Sequence, residues 1–501
     1  MKNKLLGQVF TPSWIVKTIL DQANYHGEHI LEKYVLEPAC GDGAFLCEIV
    51  SRYIQAAQKA HFSCQIIVQH LQKYIYGVEL DEEAYQQCIH HLNQLVEQKL
   101  GKGIVISWQI HQANMLHEYS QYLQQFDYIF GNPPYIRIHH LDEPTRLFIK
   151  NHMRFSSGMI DIYVSFFEIS FLMLKSNGVL GFITPNSFLY NASYQNFRQF
   201  LQNQKKLALL CDFQSHKIFD GFSTYTAITI FDLSQNKEAF SYQEKVDNQE
   251  AIKEVNKIKF SDLQSKKWTL TNQENQHFLN QIFANTNTGM KQWFDVQYGF
   301  ATLRDKIFIS KITDEQQDVV LFNQRPIEKD ILRKIVKASR YKGDFDDLEY
   351  ILFPYTQKNG RYAVIEEDEL KERYPLAYAY LLDHKQELLK RDVEKGAKWY
   401  EFGRSQGLQS SHKEKVVISP MVGQEVNCFR LPEDVLVYSG MFLSAKRHHN
   451  DLKIAEDVLR SEAFLRYARL TGKDFSGGYK SLTPKQIKEF RFYSSESSEL
   501  F

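Results

Sequence analysis

At 501 residues the chain is too long for one ordinary domain and suits two or three, each with enough apolar residues for a real core. Its 60 basic and 60 acidic residues cancel, which excludes attachment to a polyanion by bulk charge alone; 20 basic and 24 acidic residues lie in positions 1–250, so the later half is the more basic. No apolar run approaches about 20 residues and the start, MKNKLLGQVFTP, lacks a signal peptide's apolar stretch, so a cytoplasmic protein without a membrane span is expected.

Residues 1–235 alternate short apolar strands with amphipathic segments, the pattern of a parallel sheet flanked by helices. In chain order, strands are predicted at 33–39, 74–80, 104–110, 126–132, 179–185, 207–213 and 226–233, and helices at 44–60, 82–99, 161–175 and 194–204. The fold class is therefore α/β: a Rossmann-like, mostly parallel sheet of seven strands, followed by a second, mixed α+β domain. The polar, charged run from Ser234 to Lys267 marks the boundary, giving a first domain over 1–245, a linker over 246–267 and a second domain over 268–501. Beyond it, one long helix is predicted at 374–392. Six cysteines (Cys40, Cys47, Cys64, Cys88, Cys211, Cys428) show no CxxC pair and no zinc spacing, so free thiols and no metal site are expected.

In open α/β sheets, ligands sit beyond the carboxyl ends of the strands. After the first strand comes Glu37-Pro38-Ala39-Cys40-Gly41-Asp42-Gly43-Ala44-Phe45, whose glycines let backbone amides approach a ligand at the head of a helix. The second strand ends Gly77-Val78-Glu79-Leu80-Asp81, a carboxylate placed to grip a ribose diol or to cap a helix. The third leads into Ala113-Asn114-Met115-Leu116, a polar side chain beside an apolar platform. One strand later stands Asn132-Pro133-Pro134-Tyr135. Two prolines remove two donors and restrict their neighbours, so Asn132 Oδ1 and the Pro133 carbonyl are fixed acceptors for a single amino group, with Tyr135 able to stack on its flat ring.

This ordered series, with Gly7-Gln8-Val9-Phe10-Thr11-Pro12 ahead of it, resembles the gamma-class S-adenosylmethionine-dependent DNA adenine-N6 methyltransferases, the TaqI-like family. The resemblance implies that Val9, Phe10 and Thr11 close over the methionine end of the cofactor and that the turn of Glu37, Pro38, Ala39, Cys40, Gly41, Gly43 and Phe45 wraps it. It further implies that Glu79, with Leu80 beside it, holds the ribose. Phe166, shortly after Asp161-Ile162-Tyr163, lies against the cofactor's adenine, and Met115 and Asn132 are further cofactor-binding residues. Asn114 stands where the family commonly has an aspartate. The stretch from Pro185 to Tyr194 resembles the loop that gives the target base its second aromatic face, matching Tyr194 in preference to Phe188 and Tyr190.

By the same resemblance the partner is double-stranded DNA and the base must be flipped into the pocket, between Tyr135 and Tyr194. Asn132 and Pro133 would draw on the amino hydrogens and localise the lone pair toward the methyl donor. The second domain resembles a target-recognition domain, with Arg304, Lys306, Trp399, Arg404, Tyr479 and Lys480 as candidate DNA contacts beside glycine turns. A monomer is expected, with a separate cognate restriction endonuclease as a further partner. Three rival readings stay open: a protein glutamine methyltransferase, which also carries NPPY, a fused restriction enzyme and methyltransferase, and a noncatalytic DNA-binding module. With six residues before the first motif an N-terminal nuclease is not expected, and the ExK-like Glu369-Leu370-Lys371 lies in a charged, helix-like stretch where a chance match is expected.

Overall fold

A computed structural model describes residues 11–155, 161–219, 224–284, 288–344, 348–358, 361–448 and 451–492. Val9 and Phe10 lie outside them. The chain divides into two compact units, Met1–Gln273 and Glu274–Phe501.

The first unit runs α1 (Ser13–Gln22), β1 (Val35–Glu37), α2 (Ala44–Lys59), α3 (Cys64–Tyr74), β2 (Ile75–Glu79), α4 (Glu82–Leu100), β3 (Gln109–Gln112) and α5 (Met115–Glu118). It continues with β4 (Phe126–Gly131), α6 (Glu143–His152), α7 (Tyr163–Met173), β5 (Leu174–Pro185), α8 (Gln195–Gln204), β6 (Leu207–Asp212), β7 (Thr226–Asp232), β8 (Ala239–Lys245) and β9 (Ile252–Lys259). The strands form one sheet in the order β3-β2-β1-β4-β5-β7-β6-β8-β9. Strands β1 to β5 are parallel, while β7 lies antiparallel between β5 and β6. The order reverses at β1, which pairs with β2 on one side and β4 on the other, so a crevice opens beyond their carboxyl ends.

Alternation along the strands splits the core between the two faces. Phe130, Ile183, Ile228 and Ile230 pack under α1, α2 and α4 against Ile19, Ile49, Tyr53 and Leu92. Ile129, Leu180, Phe182 and Leu210 face the opposite layer, with Phe167, Ile169, Phe197 and Trp268. Helix α4 starts where Asp81 caps it, accepting from Ala84 N at 2.9 Å; Glu82 and Glu83 fill its first turn, and it stops at Gly101.

Three sequence expectations need correction. Among the described residues the sheet has nine strands instead of seven, because the polar run from Ser234 carries β8 and the stretch expected to be a linker, 246–267, carries β9, which pairs antiparallel with β8 at the sheet edge. Trp268, assigned to the second domain, is 3% exposed in the core of the first unit, which runs to Gln273. The third strand begins at Gln109, later than expected; Val105, in the apolar run taken for it, is 83% exposed.

The second unit is mixed α+β. One four-stranded sheet joins Phe294–Tyr298, Met441–Ala445, Lys415–Ile418 and Cys428–Leu431, and another joins Ile309–Ser310, Glu349–Leu352, Leu332–Lys337 and Val435–Tyr438. The long helix expected at 374–392 is instead two short ones, Pro375–Asp383 and Lys385–Leu388, broken at His384. Leu370, within the ExK-like triplet, is fully buried on the helix Glu367–Arg373. Among the described residues no helix is long and apolar enough to cross a membrane, and no cluster of His, Cys, Asp and Glu could hold a metal ion.

Candidate active site

A cavity of about 990 Å³ opens beyond β1, β2 and β4. Of the residues expected to serve there, Thr11, Glu37, Pro38, Ala39, Cys40, Gly41, Phe45, Glu79, Leu80, Asn114, Met115, Asn132 and Phe166 line it. Residues 11 and 166 are far apart in sequence, so the fold brings the series together.

The turn after β1 is built around two glycines with different tasks. Gly41 has φ +51°, its amide donates to Glu79 Oε2 at 2.8 Å, and a Cβ there would meet open space. Gly43 has φ +92° and a Cβ would come within 2.8 Å of Cys88 Sγ on α4, so its place is the close packing of α2 on α4, and it lies outside the cavity lining. Gly43→Ala is therefore expected to destabilise the first unit by about 2–4 kcal/mol through strain and clash. Gly41→Ala, with strain alone, should cost about 1 kcal/mol; thermal unfolding of both variants measures the difference.

Glu79 is 8% exposed, and its carboxylate is held by two backbone amides, Gly41 N at 2.8 Å on Oε2 and Asp81 N at 2.8 Å on Oε1. Each oxygen keeps a second lone pair, and the residue lines the cavity. Glu37, 3% exposed, accepts from Leu46 N at 3.2 Å, and burial pushes its carboxyl well above the usual carboxylate range. A hydrogen bond with Cys88, together with burial, raises the Cys40 thiol, which favours its protonated form. Asn114 caps α5, accepting from Leu116 N at 3.1 Å. Met115 and Phe166, 2% and 5% exposed, give the cavity an apolar wall.

Asn132 follows β4 directly, and its Nδ2 donates to Thr11 Oγ1 at 3.1 Å across 121 residues of sequence. In this contact the Thr11 hydroxyl oxygen accepts, and the carboxamide oxygen lies at the other end of the group. Pro133 is buried, and Pro134 lines the cavity. Tyr135 is half-buried behind it, with its hydroxyl donating to Ile183 O at 3.3 Å and its ring edge-on to Phe219.

Tyr194 does not offer an aromatic face. Its ring is 2% exposed against Tyr163, its hydroxyl donates to Asp161 Oδ2 at 3.0 Å, and burial pushes that hydroxyl up to about 12. The half-buried Asp161 carboxyl takes the tyrosine as its donor, and this holds the ring in place. Phe188 is fully buried, whereas Tyr190, half-buried, hydrogen-bonds Asn186 Oδ1 at 3.2 Å. Sequence reasoning missed other lining residues: Gln86, Gln87 and His90 on α4, and Leu141, Asp142 and Thr145 at the start of α6. Only the return of these helices to the strand ends brings them in, and no local pattern announces it.

Residues 73–219 match the Eco57I restriction-modification methylase family. The matched span holds Glu79, the NPPY loop, Phe166 and the 185–194 loop. The chain is 27% identical over 488 residues to the Type II restriction enzyme and methyltransferase RM.Eco57I of Escherichia coli, covering 82% of this chain and 48% of that protein. It is 23% identical to the Type II methyltransferase M.BanIII of Aneurinibacillus aneurinilyticus, covering 80% and 74%, and 29% identical to M.BstVI of Geobacillus stearothermophilus, covering 45% and 42%. The chain thus spans about half the length of RM.Eco57I. Among solved structures, the Type IIL restriction-modification enzyme MmeI in complex with DNA superposes with a TM-score of 0.67 at 14% identity, over 97% of this chain and 67% of that one. A DrdV–DNA complex gives 0.52 at 15% identity, over 88% and 49%. The α/β fold is therefore one that this chain shares with MmeI and DrdV.

The residues expected to meet DNA are scattered through the second unit. Arg304 pairs with Glu387 at 3.0 Å, Arg404 with Asp392 at 3.0 Å and Lys480 with Asp474 at 2.5 Å, and Trp399 Nε1 donates to Glu367. Lys306 and Tyr479 are exposed.

Proposed function

We propose that this chain is a site-specific DNA adenine methyltransferase of a restriction-modification system, transferring methyl from S-adenosylmethionine to N6 of an adenine flipped out of duplex DNA. The observation that carries this reading is the position of Asn132, at the end of β4 and oriented by Thr11, on the same cavity as the glycine turn and Glu79. The Eco57I family match and the methyltransferase relatives support it.

The cavity suits the cofactor. Open space over Gly41 leaves room for its tail, Glu79 offers two oriented acceptors for a ribose diol, and Met115 and Phe166 provide flanks for an adenine ring. Asn114, spent as a helix cap, retains its amide hydrogens and one lone pair for the adenine edge. When bound, S-adenosylmethionine supplies a methyl activated by a positive sulfonium.

The rest belongs to the chain. Asn132 Oδ1 and the Pro133 carbonyl accept from the two hydrogens of the target amino group, bending it toward tetrahedral geometry. No strong base is then needed before attack, and catalysis rests on orientation and fixed dipoles. Tyr135 stacks on the base. With Tyr194 closed off, Tyr190 is the accessible aromatic of the 185–194 loop and takes the second face. The second unit reads the sequence, with Lys306 and Tyr479 its available members. Incubating the protein with duplex DNA and methyl-labelled cofactor, then digesting to nucleosides, should place the label on N6-methyladenine. Label on glutamine of a protein acceptor, with DNA unlabelled, would overturn the reading.

A further inference from the structure

The segment after the NPPY loop carries cations where the rest of the first unit is mildly acidic. Between positions 137 and 154 stand Arg137, Arg146, Lys150 and Arg154, with His139, His140 and His152, against only Asp142 and Glu143. The seven basic side chains are all exposed. Asp142 is committed to capping α6, accepting from Thr145 N at 2.8 Å and Thr145 Oγ1 at 3.0 Å, and these bonds hold its carboxyl below the usual range.

Helix α6 is two-sided. Thr145 and Ile149 are buried, while Arg146 and Lys150, one turn apart, lie on the exposed side and have no ion pair among the described residues. Arg154 follows just past the helix end with its side chain 77% exposed, 4.0 Å from Glu168. Arg146 and Lys150 are spaced about 6 Å along the axis, close to two nucleotide steps of one DNA strand. The start of the same helix lines the cavity through Leu141, Asp142 and Thr145.

From the exposed cationic row on α6, anchored beside the cavity, we infer that this helix clamps the phosphate backbone of the strand whose base enters that cavity. This rests on the methyltransferase reading. Such a clamp holds the strand in register while the nucleotide leaves the stack, and it reads no sequence.

The test compares wild type with the triple variant Arg146→Ala/Lys150→Ala/Arg154→Ala, all exposed positions remote from Asn132 in role. Affinity for a duplex carrying the modified site is measured from about 50 to 200 mM salt. The variant should lose about two to three units of salt slope and at least about 10-fold in affinity at low salt. Its KM for DNA should rise with kcat at saturating DNA and cofactor affinity retained. A control, Lys253→Ala/Lys257→Ala/Lys259→Ala on the β9 edge, should keep the wild-type slope. If wild type methylates DNA but the triple variant keeps the wild-type slope, or the β9 control loses as much, the clamp is wrong and the methyltransferase reading stands. If wild type neither binds nor methylates DNA, both fall.

Discussion

Asn132→Ala is expected to lower methyl transfer to DNA by at least about 10²-fold, with cofactor affinity changed by no more than a few fold. The asymmetry follows from where the residue sits. In the proposed reading the grip on the cofactor is spread over the β1 turn, Glu79, Met115 and Phe166, which all line the cavity, so one lost contact removes little of it. By the same proposal the acceptor for the target amine is concentrated in Asn132 and the neighbouring carbonyl. Asn132→Asp sharpens the point. It keeps an acceptor but loses the donor to Thr11 Oγ1 and adds a charge, so its rate should fall between wild type and alanine. Single-turnover rates at saturating DNA, with cofactor binding by calorimetry, separate the two quantities; wild-type turnover in the alanine variant would remove the basis of the proposed mechanism.

The strand ends were legible because each carries its own local signature. A glycine turn after β1, a carboxylate closing β2 and an asparagine with two prolines after β4 are visible in short windows, and the sheet then brings them to one cavity. Tyr194 was misread because an aromatic's exposure depends on partners distant in sequence. Asp161, 33 residues away, supplies the acceptor that draws its ring inward. The last edge strand was misread for another reason. β9, IKEVNKIK, pairs along one side only, and its lysines and glutamate give it the composition of a solvated linker. The basic face of α6 was also overlooked, since the net charge of the first 250 residues is slightly negative and hides a local surplus.

Arg198→Met should destabilise the first unit by about 3–5 kcal/mol, the largest loss expected from any single replacement outside the cavity. The guanidinium is fully buried and, among the described residues, pairs with no carboxylate. Four backbone carbonyls take its hydrogens: Ser265 at 2.7 Å, Phe188 at 2.5 Å, Asn191 at 2.8 Å and Lys266 at 2.6 Å. Burial lowers its proton affinity to about 10, which still leaves it charged at neutral pH. From α8 it ties the loop bearing Tyr190 to the segment that closes the unit, and methionine would take this donor from all four carbonyls, of which Asn191 O keeps a second one, Tyr194 N at 3.2 Å, and Phe188 O lies in a buried contact. Arg198→Lys keeps the charge, but a single ammonium cannot span four acceptors held by three guanidinium nitrogens, so about half the loss is expected. Denaturant unfolding followed by the Trp268 region gives the stability, and methyl transfer well below the melting temperature gives the consequence for the loop. If the methionine variant unfolds like wild type, those carbonyls must find other donors, and the loop's position owes nothing to this side chain.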